Sequence, residues 1–232
     1  MAIGNRVYLQ RPSVNYEVIK AFEEIPAANI ADSMGRLCAL HPRISLKSNP
    51  DKLITAGRAL TVKTRSGDNL MIHKALNMAE AGDVIVVSND TGCDYRSLMG
   101  EIMFRVAEHK NIAGIVLDGP LRDIAIVKDM KISIYATGSN PGGPYKSGTG
   151  EINTPISCGG ISVNPGDVVV MDADGVIIIP FQDAELVLQE AIKFQAFDSQ
   201  KVKDAIEGKA KRGWVDEKLN EQNTEIIDSS YF

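Results

Sequence analysis

Apolar residues follow two rhythms along the chain. Between Ser97 and His109 they stand at Leu98, Met99, Ile102, Met103, Val106 and Ala107. This is the spacing of one helical face, with Arg105, Glu108 and His109 left for the polar side. The runs Val84 to Ser88 (VIVVS) and Ile115-Val116-Leu117 are short, apolar and β-branched, and predict buried strands. Gly114 ends the helical rhythm before the second run, and Gly119-Pro120 makes a turn after it. Arg122-Asp123 then opens another helical segment. Strand, helix, strand in this order predicts a right-handed crossover with parallel strands.

The rest of the chain divides by the same criteria. Asn15 to Glu24 and Ala27 to Gly35 predict two short helices separated by Pro26, the second carrying Asp32 in a surface or capping role. Residues 36–56, with Pro42 and Pro50, predict irregular structure. Arg58 to Arg65 alternates as a strand with one exposed face, Ser66-Gly67-Asp68 is a turn with a capping Asp, and Asn69 to Ala79 is a helix. Beyond Asp123 a helix to about Met130 and a strand at Ile132 to Ala136 follow. The glycine-rich stretch Gly138 to Asn153 predicts a mobile or ligand-edge loop. Ile156 to Val163, Asp167 to Met171 and Gly175 to Pro180 predict a β-meander, with turns at NPGD and DADG. Asp183 to about Gly208 predicts a long helix, and the tail from Lys209 is charged and poorly periodic, holding Trp214. With no linker between the βα part and the meander, the reading is one mixed α/β domain over residues 1–208. Residues 209–232 form a C-terminal extension that packs on a neighbouring subunit or on its own core.

This arrangement brings chemistry to one edge of the sheet. The helix that begins near Gly100 starts at the carboxyl edge of the Val84 strand. The Ile115 strand returns to that edge and delivers Arg122 and Asp123, where open α/β sheets bind ligands. Free backbone N–H groups at a helix start suit an anion, Arg clamps a carboxylate with two hydrogen bonds, and Asp holds a hard divalent cation. The spacing thus describes a small-carboxylate site with a metal. It equally describes a solvated Arg–Asp pair capping a helix, and the pattern alone does not separate them.

Composition narrows the classes. Hydrophobic content of 44% and charged content of 24% are those of a soluble globular protein, and a net charge of −5 with no basic block argues against nucleic acid and anionic membranes as partners. No apolar run is long enough to span a bilayer, and the N-terminus lacks the layout of a secretion signal, so a cytoplasmic protein is expected. Cys38, Cys93 and Cys158 are odd in number and widely spaced, as reduced thiols would be, and no pair has CxxC spacing. His41, His73 and His109 form no HxH or HExxH pattern, which leaves a zinc hydrolase with little support. The glycine-rich stretch has no GxxxxGK[ST], and its GTG does not join a strand to a helix, which removes a P-loop or Rossmann site.

Four segments together resemble one family: IADSMG, AGRALTVKTRSGDNLMIHKALNMAEAGDVIVVSNDTG, GEIMFRVAEHKNIAGIVLDGPLRD and GDVVVMDADGVIIIP. The RraA-like family contains class II aldolases for 4-hydroxy-4-methyl-2-oxoglutarate and 4-carboxy-4-hydroxy-2-oxoadipate, the regulator of ribonuclease activity A, and members misnamed dimethylmenaquinone methyltransferases. The similarity runs from about residue 15 to 205, and its most specific part joins Glu101 to Arg122-Asp123 across twenty intervening residues. PYKSGTGEINTPISCGG is more similar to the carboxy-hydroxy-oxoadipate aldolases than to the ribonuclease regulators.

The resemblance implies a swivelling β/β/α fold, homotrimers or homohexamers, and active sites between subunits. It implies that backbone amides just after Gly100, at Glu101, Ile102 and Met103, hold a pyruvyl carboxylate. Arg122 binds that carboxylate and the keto oxygen, Asp123 holds Mg²⁺ or Mn²⁺, and Glu101 orders water beside the metal. Two places depart from the family pattern. Many members have an acid where Ile126 stands, and aldolase members take an acid from a neighbouring subunit's C-terminal helix, for which Asp198 and Glu190 are candidates. The expected activity is metal-dependent retro-aldol cleavage of a 4-hydroxy-2-oxo acid, with oxaloacetate decarboxylation as a side activity. Lys146 needs no Schiff-base role and reads as a solubilising residue. The rival from another class is a non-catalytic binding protein like the ribonuclease regulators. A methyltransferase lacks the nucleotide loop it would need.

Overall fold

Strand, helix and strand recur three times between residues 55 and 136, and each repeat carries the chain back to the edge where it began. The structure, a computed structural model, describes residues 3–90 and 94–232. A short strand β1 (Asn5–Val7) precedes helix α1 (Tyr16–Ala21), a 3-10 turn (Phe22–Glu24) and helix α2 (Ala27–Ser33). Strands β2 (Ser45–Leu46) and β3 (Thr55–Thr64) follow. Then come α3 (Leu70–Met78), β4 (Asp83–Ser88), α4 (Glu101–His109), β5 (Gly114–Asp118), α5 (Ile124–Val127) and β6 (Ser133–Ala136). The chain continues through β7 (Gly150–Ile152), β8 (Ile156–Cys158), β9 (Ile161–Val163), β10 (Val168–Asp172) and β11 (Gly175–Ile179) to helices α6 (Ala184–Ile206) and α7 (Trp214–Glu221). It divides into two compact units, Met1–Gln195 and Ala196–Phe232.

Strands β3, β4, β5 and β6 lie side by side and parallel, as the crossover reading predicts. Their side chains alternate between two cores. Leu60, Val62, Ile85, Val87, Ile115 and Leu117 face α3, α4 and α5, where Ile72, Leu76, Phe104 and Ala107 meet them. Ala59, Val84, Val86 and Val116 point the other way, onto Ile156, Cys158 and Val163 of the β8–β9 hairpin and onto Val169, Met171 and Ile178. A third core packs α1 and α2 on Val168, Val170, Ile177 and Ile179. The layers are therefore β, β and α, with β10 and β11 joined to the main sheet through β3.

Several sequence expectations change for physical reasons. The strand read as having one exposed face is β3, covered on both sides, because helices lie over one face and the β layer over the other. Leu98 and Met99 are not helical. The Leu98 N–H donates to Pro120 O at 2.8 Å and the Arg122 N–H to Met99 O at 3.0 Å, so this segment pairs in extended form and α4 begins only at Glu101. The glycine-rich stretch contributes β7, paired to β3 and β1. The Ile156–Val163 run folds as a hairpin at Gly159 and Gly160, both at positive φ. The helix after Asp123 stops at Val127, and the charged tail holds α7 with Trp214 exposed. Cys38 and Cys158 are buried free thiols, and Cys93 lies outside the described residues. Among the described residues no helix is long and apolar enough to cross a membrane.

Two side-chain constraints hold this frame. At Gly57 in β3 a Cβ would lie 2.5 Å from Gly82 O and 2.7 Å from Val84 Cγ2. The strand can pass there only without a side chain, so Gly57→Ala is expected to lower unfolding free energy by about 1–3 kcal/mol in denaturant titration. The fully buried Asp68 accepts N–H bonds from Leu70, Ser147 and Gly148 at 2.9, 2.7 and 3.0 Å, tying the start of α3 to the glycine-rich loop. Asp68→Ala strands three donors, so hydrogen–deuterium exchange at Ser147 and Gly148 should speed up by at least about tenfold.

Candidate active site

The site is assembled where the backbone of one crossover touches the next. Leu98-Met99 runs alongside Leu121, in a parallel bridge between Met99 and Leu121, and Leu121 bridges onward to Ser139. Three loops, before α4, after β5 and after β6, are thereby locked together at the carboxyl edge of the parallel strands. The lock places Gly100 directly against Arg122 and Asp123. A Cβ on Gly100 would lie 2.5 Å from Asp123 Oδ2 and 2.8 Å from Arg122 Nε, distances no side chain tolerates. Gly100 is extended, with φ −141° and ψ −174°, so it is glycine for space rather than for an unusual backbone conformation. Asp123 is the strained partner, in the left-handed region at φ 62° and ψ 34°, directly before α5.

Asp123 Oδ2 accepts a hydrogen bond from the Glu101 N–H at 2.9 Å, satisfying one donor at the start of α4. Arg122 Nε stands 3.7 Å from the same oxygen, and both side chains remain a little over two-fifths exposed. The pair that the sequence offered as either a ligand site or a helix cap is thus a cap with an open face. Among the amides after Gly100, the Met103 N–H turns back to Gly100 O at 3.0 Å. The Ile102 N–H has no hydrogen-bond partner among the described residues. Glu101 reaches Arg105, with 3.6 Å between Oε1 and Nε, and its carboxylate is 42% exposed. The Met103 side chain is buried and its sulfur accepts from Asn69 Nδ2 at 3.4 Å, so Met103 contributes backbone and packing.

Residues that the sequence did not single out complete the surroundings. A Cβ on Gly143 would lie 3.3 Å from Arg122 Nη1, so the guanidinium passes between glycines of two different loops. Arg96 donates from Nη1 to Gly143 O and from Nη2 to the Tyr145 hydroxyl, each at 2.8 Å, and stacks 4.0 Å from the Tyr145 ring centre. These are contacts between segments nearly fifty residues apart, and no local spacing announces them. Burial and the positive charge of Lys146 push the His73 imidazole below its ordinary pKa, which keeps it neutral at pH 7. Ile126, where many family members have an acid, is 41% exposed. Glu190 and Asp198 lie on α6, paired with Lys193 and Lys201 respectively.

A single carboxylate with an open face suits one kind of metal. Among the described residues no group of three His, Cys, Asp or Glu side chains stands together as a ready cage. Mg²⁺ commonly keeps several waters and takes one or two carboxylates, so Asp123, with Glu101 beside it, fits such an ion. A cavity of about 810 Å³ opens at the opposite edge of the sheet and includes none of the predicted site residues. Its charges are largely spoken for by one another, Arg58 by Glu80 and Asp83, and Lys52 by Glu23.

Known proteins share this framework. A protein of Halalkalibacterium halodurans named "Putative 4-hydroxy-4-methyl-2-oxoglutarate aldolase" is 41% identical over 182 residues, covering 78% of this chain and 85% of the relative. The crystal structure of Streptomyces coelicolor RraAS2, described as an unusual member of the RNase ES inhibitor RraA family, superposes with a TM-score of 0.70. It is 23% identical and covers 80% of this chain and 96% of its own. The RNA-processing inhibitor RraA from Thermus thermophilis reaches a TM-score of 0.61 at 28% identity, over 67% of this chain and 92% of its own. The family model RraA-like, Aldolase/RraA, matches residues 27–178, a span that holds Gly100, Arg122 and Asp123. On this match and the 41% identical relative, the chain belongs to the RraA-like family.

Proposed function

We propose that the chain is a divalent-metal-dependent class II aldolase that cleaves a 4-hydroxy-2-oxo dicarboxylic or tricarboxylic acid to pyruvate or oxaloacetate. The observation that carries this reading is the seat of Arg122 and Asp123 against Gly100. A guanidinium, a carboxylate and a helix start share one open face there, as an oxo acid and a cation require. The name of the 41% identical relative supports the same reaction class.

Cleavage breaks the C3–C4 bond of the substrate. The 4-hydroxyl gives up its proton, C4–O becomes a carbonyl, and the bonding pair passes to the enolate of the pyruvyl half, which is then protonated at C3. Mg²⁺ or Mn²⁺ held by Asp123, with Glu101 ordering water beside it, would supply the positive charge that stabilises the enolate oxygen. Arg122 grips the substrate carboxylate and keto oxygen with its planar fork. The Ile102 N–H offers the carboxylate a further donor. Gly100 keeps Arg122 and Asp123 close enough to address the same molecule, and no side chain of this chain is assigned the base. The same grip on an enolate-forming acid would allow oxaloacetate decarboxylation as a side activity.

Assembly belongs to this proposal. Ile102 is 79% exposed, and Val106 and Ile126 are each 41% exposed, on the two helices that flank the site. A homotrimer or homohexamer covering them would bring a second copy to the open face of Asp123 and could deliver the missing acid from its C-terminal helix.

Pyruvate release from 4-hydroxy-4-methyl-2-oxoglutarate, 4-carboxy-4-hydroxy-2-oxoadipate and oxaloacetate tests the reaction directly. Turnover should vanish with chelator, return with Mg²⁺ or Mn²⁺, and fall about 10²- to 10³-fold in Arg122→Ala. No turnover of any of the three would transfer the site to a binding role like that of the ribonuclease regulators. Gly100→Ala should cost about 10²-fold in kcat by pushing Arg122 and Asp123 apart. A mutant that keeps full rate would show that their close approach is not needed.

A further inference from the structure

On the aldolase reading, Arg122 holds the oxo-acid end of the substrate, and a diacid has a second carboxylate to place. We propose that Arg96, held flat on Tyr145, takes that far carboxylate and sets a preference for 4-hydroxy-2-oxo acids that carry one. Arg96 and Arg122 flank a single residue. The Gly143 carbonyl accepts from Arg96 Nη1 at 2.8 Å, and the space where a Gly143 Cβ would stand is 3.3 Å from Arg122 Nη1. Two guanidinium groups therefore approach one glycine at the mouth of the site.

Arg96 is placed for recognition rather than for structural pairing. Its partners among the described residues are a carbonyl, a phenol and an aromatic ring, and none of these neutralises its charge. Two of its five N–H donors are occupied, which leaves others for an incoming carboxylate. The side chain is already immobilised. The Tyr145 ring centre lies 4.0 Å from Arg96 Cζ and 5.6 Å from Arg65 Cζ, so both guanidinium groups approach the ring. Ser97 binds Gly142 O through its N–H at 2.8 Å and its hydroxyl at 2.9 Å, fixing the backbone next to Arg96 against the same loop. A charged fork ordered before binding loses little entropy when a ligand arrives. Arg65 is the less suited of the two cations, because it already faces the buried Asp68 at 4.0 Å.

Calorimetric titration with pyruvate and with 2-oxoglutarate, both in the presence of Mg²⁺, separates this role from that of Arg122. The two probes share the oxo-acid end, and only the second has a far carboxylate. Wild type should bind 2-oxoglutarate more tightly than pyruvate. Arg96→Gln should weaken 2-oxoglutarate by about 10- to 100-fold, leave pyruvate within about twofold, and be partly rescued by Arg96→Lys. Arg122→Ala should weaken both. Equal losses for the two probes in Arg96→Gln would make Arg96 a prop of the loop and overturn the assignment while the aldolase reading stands. No change for either probe would do the same. Failure of wild type to bind pyruvate would remove the aldolase reading, and the role of Arg96 with it.

Discussion

Strand β3 has to satisfy two hydrogen-bonding edges with three different partners, and the fold follows from how it does so. One edge is taken along most of its length by the parallel strand β4. The other is shared, with β10 antiparallel to residues 55–58 and β7 antiparallel to residues 62–64. A buried backbone left unpaired costs too much to survive, so both neighbours are obligatory. The first brings the β layer that covers the back of the sheet. The second brings the end of the glycine-rich loop towards the edge where Gly143 meets Arg122. Gly57 permits the close passage near the start of the strand, and Asp68, just beyond its end, anchors the loop.

Much of this was legible in the sequence because its signals are local. VIVVS and Ile115-Val116-Leu117 are parallel strands whose positions need no knowledge of distant residues, and the crossover rule alone put Arg122 and Asp123 at the edge that holds Gly100. The alternation of Arg58 to Arg65 was misleading for a clear reason. Residues such as Thr61 and Thr64 look like solvent positions, yet both are buried with their hydroxyls bonded to backbone carbonyls. Leu98 and Met99 continue a helical rhythm, and only the bonds to Pro120 and Arg122 hold them extended. Tertiary pairing overrode local periodicity there.

The surroundings of Arg122 were the hardest part to read. The stack of Arg96 on Tyr145 and the gap at Gly143 join segments with no common motif. The roles of Glu101, Ile102 and Met103 were expected to be alike, as consecutive amides. The structure distinguishes them, because one is bonded to Asp123, one turns back to Gly100, and only that of Ile102 is left. Helix geometry treats successive N–H groups alike until the neighbouring loop is in place.

The bond from Glu101 N–H to Asp123 Oδ2 also says something about how the site trades one occupant for another. The carboxylate and the helix start answer each other across this bond. An anion arriving alone has to compete with a carboxylate that is already seated, while a cation arriving alone meets the guanidinium of Arg122 beside its ligand. On the proposed reading, a cation and an oxo acid arriving together would remove both objections, since the first would draw on Asp123 and the second would replace it at the amide. Binding of the two would then be an exchange reaction with a built-in preference for company, and that preference would rest on one backbone contact.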